Sequence, residues 1–208
     1  MTPFAISSNP PFLTRDIQAF YHTNFYGAEH PDNPNYLYKF KNDPHHNWTD
    51  YHLRIATEQL SRVLSADLPL IQQQVQANPL TVCVVPRAKA DDTYRPNQLL
   101  FKATINAIVS KLNGFEDGTD YIIRHTNTKT THIRKPMEGF VNDGSSPYAG
   151  ITSKTCNISK NVNGKNILLI DDIYTKTVNI DEDAIQALLS KGASSVAFYA
   201  VGNTVLKS

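Results

Sequence analysis

Cysteine is scarce in this chain. Cys83 and Cys156 are the only two in 208 residues, and neither stands in a CxxC pair or in a Cys/His cluster of metal-ligand spacing. A disulfide framework and a structural zinc therefore find no support. Long apolar runs are missing as well. No stretch approaches the roughly 20 residues that cross a bilayer, and the start MTPFAISSNPPFLTRD has no basic segment leading into an apolar one. No membrane association is expected, and the chain reads as a soluble cytoplasmic protein. Nor does charge of one sign prevail: 20 Lys+Arg face 19 Asp+Glu, a net of +1. Such a balance leaves no whole-protein field to draw the chain onto nucleic acid or an anionic surface, so any anion binding must be local. The patterns G-x-x-x-x-G-K-[ST], G-x-G-x-x-G, G-x-S-x-G and H-E-x-x-H do not occur, which removes support for nucleoside triphosphatase, nicotinamide, serine-hydrolase and zincin chemistry. What is present is 40% hydrophobic against 19% charged residues, enough apolar material for a core. One elaborated domain is expected at this length.

Residues 1–48 are rich in Pro, Asn, His and aromatics and show neither helical nor alternating periodicity, so they read as loop. From Thr49 onward Leu53, Ala56, Leu60, Val63 and Leu64 share a helical face, with Thr49 or Asp50 as the cap. Asp67 and Pro69 suggest a restart, which predicts a helical hairpin ending at Ala77-Asn78-Pro79. The run Leu80 to Val85, LTVCVV, is apolar and β-branched, the pattern of a strand buried on both faces and hence of a parallel sheet. A helix over Leu99 to Leu112 stops at Asn113-Gly114, and Tyr121 to Ile123 reads as a short strand. Asn166 to Ile170, NILLI, is a further buried strand running into Asp171-Asp172; Asp181 is expected to cap a helix that Gly192 ends, and Ser195 to Val201 is the last strand. Residues 1–79 thus form a loop-rich and helical N-terminal elaboration on a core at 80–208. The alternation of strands and helices predicts a doubly wound, mainly parallel α/β sheet, with ligands beyond the carboxyl ends of its strands.

The chemistry concentrates in NILLIDDIYTKTVNIDEDAI. Two adjacent carboxylates ending a buried strand, followed by hydroxyl residues and a helix N-terminus, place acceptors for sugar hydroxyls beside backbone N–H groups for a phosphate. Taken without its flanks, the same stretch is equally an ordinary turn. Between Tyr121 and Met137 the chain carries Arg124, Lys129, Arg134 and Lys135 with His125 and His132 and no carboxylate, a local positive field in a neutral protein. It reads either as a loop closing over an anion or as a solvated basic hairpin.

Ile170-Asp171-Asp172-Ile173-Tyr174-Thr175 resembles the phosphoribosyl-pyrophosphate (PRPP) signature of type I phosphoribosyltransferases, in which four apolar residues and an acid pair lead, two residues later, into TTG, a small residue and Thr. VVPRAKADDTYRPNQLLFKATINAIVSKL, with Arg95, Asn97 and Gln98, is similar to a stretch of the ComF-like, competence-associated members of that family. IIRHTNTKTTHIRKPMEGFVNDG looks like their basic stretch, and YLYKFKNDPHHNW resembles the lysine-containing segment before their first helix. The likeness spans roughly residues 36 to 202. It implies a type I phosphoribosyltransferase-like fold and a magnesium-dependent transfer of ribose 5-phosphate from PRPP, with release of pyrophosphate, to an unidentified nitrogen acceptor. The resemblance further implies that Asp171 and Asp172 hold the ribose hydroxyls, directly or through Mg2+, and that Ile173, Tyr174, Thr175, Lys176 and Thr177 wrap the 5-phosphate. Arg87, Ala88 and Lys89 would form the pyrophosphate loop, with Arg124 and Lys129 on a catalytic loop above it. Such chemistry needs charge stabilisation more than a covalent nucleophile, and no residue stands out as general base. The expected ligand is PRPP or a nucleotide; a second copy or a protein partner is open, and nucleic acid is not indicated.

The signature departs at three places: Lys176 stands for its second Thr, Thr177 for its Gly and Asn179 for its last Thr. A β-branched residue takes positive φ with difficulty, so the phosphate loop is altered. Lys176 either restores the lost charge or points to solvent. A catalytically degenerate PRPP- or nucleotide-binding regulatory module, or a defence-system effector, is therefore the rival to an enzyme. No cysteine precedes Cys83, so the zinc module of many ComF-like proteins is not expected. His45, His46 and His52, near Trp48 and Asp50, have no recognised metal spacing and read as surface or packing residues.

Overall fold

The computed structural model describes residues 1–27, 30–42, 48–130, 142–144 and 150–205. Its centre is a six-stranded mixed sheet in the order β1-β2-β8-β7-β3-β4, built from β1 (Thr2–Ile6), β2 (Ile17–Phe25), β3 (Leu80–Val84), β4 (Phe115–Asp117), β7 (Asn166–Tyr174) and β8 (Ser195–Thr204). All neighbours are parallel except β1, which pairs antiparallel with β2. A second sheet of two antiparallel strands, β5 (Ile122–Arg124) and β6 (Cys156–Ile158), stands apart. The helices are α1 (Tyr36–Lys41), α2 (Asp50–Val75), α3 (Leu100–Val109) and α4 (Ile180–Ser190). Apolar residues of α1, α2 and α3 pack with Leu168 and Ile170 on one face of the sheet, and those of α4 with Ile167 and Leu169 on the other. This is an α/β fold with both sheet faces covered, as the unbroken apolar runs of β3 and β7 require.

The loop reading of residues 1–48 is corrected by β1 and β2. The latter is an interior strand between β1 and β8. With both faces covered it shows no period-two alternation, and its polar centre, His22 to Asn24, hid it. Strands from both sides of residue 79 therefore share one sheet. The predicted helical hairpin is a single helix, α2, that runs through Pro69. An interior proline costs about 3 kcal/mol or more, but Leu60, Leu64, Leu68 and Ile71 are all fully buried on one face, and each contributes about 1.5–3 kcal/mol by leaving water. The apolar face outweighs the break. Thr49 is the cap, its Oγ1 accepting the His52 N–H at 3.4 Å. Two further corrections concern the sheet. The second strand of the parallel core is Phe115–Asp117, while the strand expected at Tyr121 to Ile123 lies one residue later and in the small sheet. β7 continues past the acid pair to Tyr174. Gly114, at φ +81, marks the turn from α3 to β4, where a side chain would meet the Gln72 amide at 2.5 Å.

One buried polar cluster ties the N-terminal strands to the core. Asp67, on α2 and 4% exposed, accepts a hydrogen bond at Oδ2 from the Tyr199 hydroxyl (2.8 Å) and pairs there with His22 Nδ1 (2.9 Å). Burial raises the Asp67 pKa, yet the two hydrogen bonds prevail and hold it below the usual carboxylate value. A depressed carboxylate stabilises the fold above its unfolded-state pKa and loses that contribution as pH falls through the folded one. Asp67→Ala is therefore expected to cost about 2–3 kcal/mol in urea unfolding at neutral pH, since it orphans Tyr199 and His22. The gap to the parent should narrow in acid.

Candidate functional site

The strand order reverses beside β3: α3 leads to β4 on one side, while β7 lies on the other and α4 carries the chain on to β8. At such a reversal the carboxyl ends of the strands part and leave a crevice. The last rungs between β3 and β7 are the Val84–Ile170 pair and the Val85 N–H donating to the Ile170 carbonyl at 3.0 Å. There β3 ends, while β7 goes on, paired with β8 alone. The side vacated by β3 opens on a cavity of about 590 Å³ whose wall includes Asp171, Asp172, Lys41, Arg124 and Asp181. Asp171-Asp172 thus lies on the wall of this cavity, inside a strand rather than after it.

Successive strand residues leave opposite faces, and the acid pair is met from both sides. Asp172 turns toward α1 and forms an ion pair with Lys41 through Oδ2. Asp171 meets Asp181 of the first turn of α4, the two carboxyls hydrogen-bonded to each other, and its Oδ1 accepts the Asp172 N–H at 2.8 Å. Asp181 is 4% exposed, and its Oδ1 has no partner among the described residues. Burial, then the Asp172 charge, pushes the Asp171 carboxyl up to about 7 against the pull of Lys41; burial and Asp171 push Asp181 well above the carboxylate range. Burial alone would lower the Lys41 pKa, but Asp172 and Asp171 outweigh it and raise it. A carboxyl pKa raised by folding gives a contribution that is fully present below the unfolded value and lost as pH rises through the folded one. The ligand-free protein should therefore lose stability as pH climbs from about 4 to 7, and Asp171→Asn should flatten that slope; melting curves across the range check it.

Arg87 does not reach into the cavity as a free cation. Its Nη1 donates to the carbonyls of Phe40 (3.1 Å) and Gln98 (2.7 Å), its Nη2 to that of Lys41, and its guanidinium stacks on the Tyr94 ring at 4.5 Å. Asn42 Nδ2 donates to the Asn97 carbonyl and Gln98 Nε2 to the Asn42 carbonyl, each at 3.0 Å. Arg87, Asn97 and Gln98 therefore clamp the end of α1, and the clamp aims Lys41. The Arg95 N–H donates within the same segment to Gln98 Oε1 at 2.9 Å. Lys89 is likewise engaged: its Nζ donates to the carbonyls of Thr128 (2.9 Å) and Asp143 (2.6 Å) and to Asp143 Oδ1 (2.7 Å). The Ala88 carbonyl accepts from the Thr128 N–H and Oγ1 at 2.8 and 2.9 Å. This segment braces residues 124–130 rather than presenting a bare loop to an anion.

Arg124 is the buried cation of the cavity wall. It is 2% exposed, its Nε donates to the Arg87 carbonyl at 2.7 Å, and its Nη1 is buried with no partner among the described residues. Lys129 also lines the cavity, on its exposed side. Ile173 and Thr175 line it as well, Thr175 with its hydroxyl 2.7 Å from that of Thr204. Tyr174, in contrast, turns into the opposite core and donates its hydroxyl to Glu182 Oε1 at 2.8 Å. Lys176 and Thr177 are exposed and off the cavity wall. The left-handed residue of this turn is Asn179 (φ +59), which also takes the N-cap place expected of Asp181. Asn is the side chain that best tolerates this conformation after Gly, so the turn forms without a glycine at 177.

His45, His46, His132, Arg134, Lys135 and Met137 lie outside the described residues. Among the described residues no three His, Cys, Asp or Glu side chains converge as metal ligands. Of the acid pair, Asp172 Oδ2 is engaged by Lys41 and Asp171 Oδ1 by the Asp172 N–H. Sequence reasoning missed Lys41 and Asp181. The first is one of two lysines in YLYKFK, the second lies in an acidic first helical turn, a placement common enough to carry no signal. No helix among the described residues is long and apolar enough to cross a membrane. Compared with known proteins, the chain matches no family model and no curated protein.

Proposed function

We propose that the cavity binds the ribose 5-phosphate part of PRPP and that the protein is a phosphoribosyltransferase. The observation that carries this reading is Asp171-Asp172, on the strand that outruns its neighbour at the reversal of the sheet, lining the same cavity as Arg124, whose Nη1 has no partner among the described residues. Acceptors for a sugar diol and a buried donor for an anion are what a phosphorylated sugar needs. Asp171 and Asp172 accept hydrogen bonds from the ribose hydroxyls and fix the ring. The bond from C1 to the pyrophosphate oxygen breaks, the electron pair leaves with pyrophosphate, and Arg124 and Lys129 offset the growing negative charge. A nitrogen nucleophile bonds to C1 and gives up its proton to solvent. Magnesium arrives with PRPP as part of the substrate. Thr175, on the cavity wall, would receive the 5-phosphate.

A second reading, a binding module that senses PRPP or a nucleotide without turnover, draws on one observation. The Val178 N–H donates to the Thr175 carbonyl at 3.0 Å, which closes the turn on itself and withdraws an amide from a phosphate. A pyrophosphate-release assay over nucleobases, glutamine and ammonia separates the two. Release with any acceptor supports the transferase, whereas binding of PRPP without release under all of them leaves the sensor.

A further inference from the structure

We propose that Lys41 is the resident cation of the acid pair, so that a ribose diol binds at Asp171-Asp172 without a divalent metal and any metal requirement belongs to the pyrophosphate of PRPP alone. The proposal rests on the ribose-phosphate reading of the cavity.

Three observations support it. First, Lys41 is placed by construction. Its helix is anchored by buried Leu37 and Phe40, and Arg87 holds the carbonyls of Phe40 and Lys41 together with that of Gln98. A lysine on a free surface would lose rotamer entropy to hold such a pair and gain little. Here the backbone is fixed in advance, and the side chains of Lys41 and Asp172 are 31% and 13% exposed. Second, Lys41 already supplies a cation at the acids: its ammonium is paired with Asp172 Oδ2, while Asp171 Oδ1 accepts the Asp172 N–H. Third, an ammonium carries three donors. With one on Asp172, the others are available to a hydroxyl brought against the acids, which is the bridging task a divalent ion performs elsewhere.

Ribose 5-phosphate is the probe, because it carries the diol and the 5-phosphate but no pyrophosphate. Its binding to the full chain is measured by titration calorimetry in magnesium and in EDTA, for the parent, Lys41→Ala and Lys41→Arg. Lys41→Gln, which keeps the stem and loses the charge, replaces Lys41→Ala if circular dichroism shows that variant unfolded. The expected result is equal affinity of the parent in both buffers, a loss of about tenfold or more in EDTA without the lysine charge, and retention with Lys41→Arg. Parent binding that disappears in EDTA overturns the proposal, as does a charge-free variant that binds in EDTA like the parent. If the parent binds neither ribose 5-phosphate nor PRPP in either buffer, the ribose-phosphate reading itself falls and this proposal with it.

Discussion

Asp172→Asn is expected to lower the melting temperature and Asp171→Asn to raise it, although the two residues are adjacent and of the same type. Asp172 neutralises Lys41, whose side chain is partly buried. Removing one member of a fully buried pair costs about 3–5 kcal/mol because the other charge is left uncompensated. With 31% of the Lys41 side chain still exposed, about 2–3 kcal/mol is the better expectation. Asp171 has the opposite balance. It is crowded by Asp172 and Asp181, and burial has already driven its carboxyl up to about 7. At pH 8 its ionised form is a cost to the fold, so the neutral amide should stabilise by about 1 kcal/mol or more. In a chain of this size 1 kcal/mol moves the melting temperature by about 2–4 °C, so the two variants should be well separated in a thermal scan. Replacing Lys41 with Met in the Asp172→Asn background should recover most of the loss, because the pair is then removed together. Equal shifts for the two single variants would contradict the charge arrangement described for the site.

Arg87→Ala should be the most damaging single change in the cavity wall. The guanidinium holds three carbonyls from two segments and lies on Tyr94. Hydrogen bonds from a charged donor contribute about 1.5–3 kcal/mol each but do not add when one group makes them all, which suggests a net loss of about 3 kcal/mol. Arg87→Lys should recover little, since an ammonium is a point charge without the planar fork that spans several acceptors. The functional consequence is separable from the structural one. With the clamp gone Lys41 is no longer aimed at Asp172, so ligand affinity should fall more in Arg87→Ala than in Asp67→Ala, a variant of similar instability whose site lies elsewhere. Urea unfolding and calorimetry on the two proteins make the comparison. Equal affinities would assign Arg87 to stability alone.

How legible the molecule is in its sequence depends on where each signal is written. β3 and β7 are buried on both faces, so their apolar runs announce themselves, and the acid pair at the end of NILLI stands out against them. β2 is just as central, yet His22, Thr23 and Asn24 interrupt it; what makes His22 acceptable is Asp67, on a helix remote in sequence. Pro69 misleads in the opposite sense, because a local rule about proline yields to four buried aliphatics that only the tertiary fold brings together. The site shows the same division. Asp171, Asp172, Arg124 and Lys129 are legible from local pattern and all line the cavity. Arg87 and Lys89 were legible as basic residues near an anion, but their acceptors are carbonyls from distant segments, which no spacing encodes. Lys41 and Asp181 reach the acids from α1 and from α4, on opposite faces of the sheet, and only the strand alternation at Asp171-Asp172 explains why one goes to each.

PRPP occupancy of the cavity at Asp171-Asp172 is the central claim. Titration calorimetry with PRPP in magnesium, on the parent and on Asp171→Asn with Asp172→Asn, tests this most directly; circular dichroism verifies that the double variant is folded. On that claim PRPP binds the parent saturably and one-to-one and does not bind the variant, whose melting temperature should fall by a few degrees because the loss at Asp172 exceeds the gain at Asp171. Binding by the variant as tight as by the parent, or no binding by the parent, would contradict it.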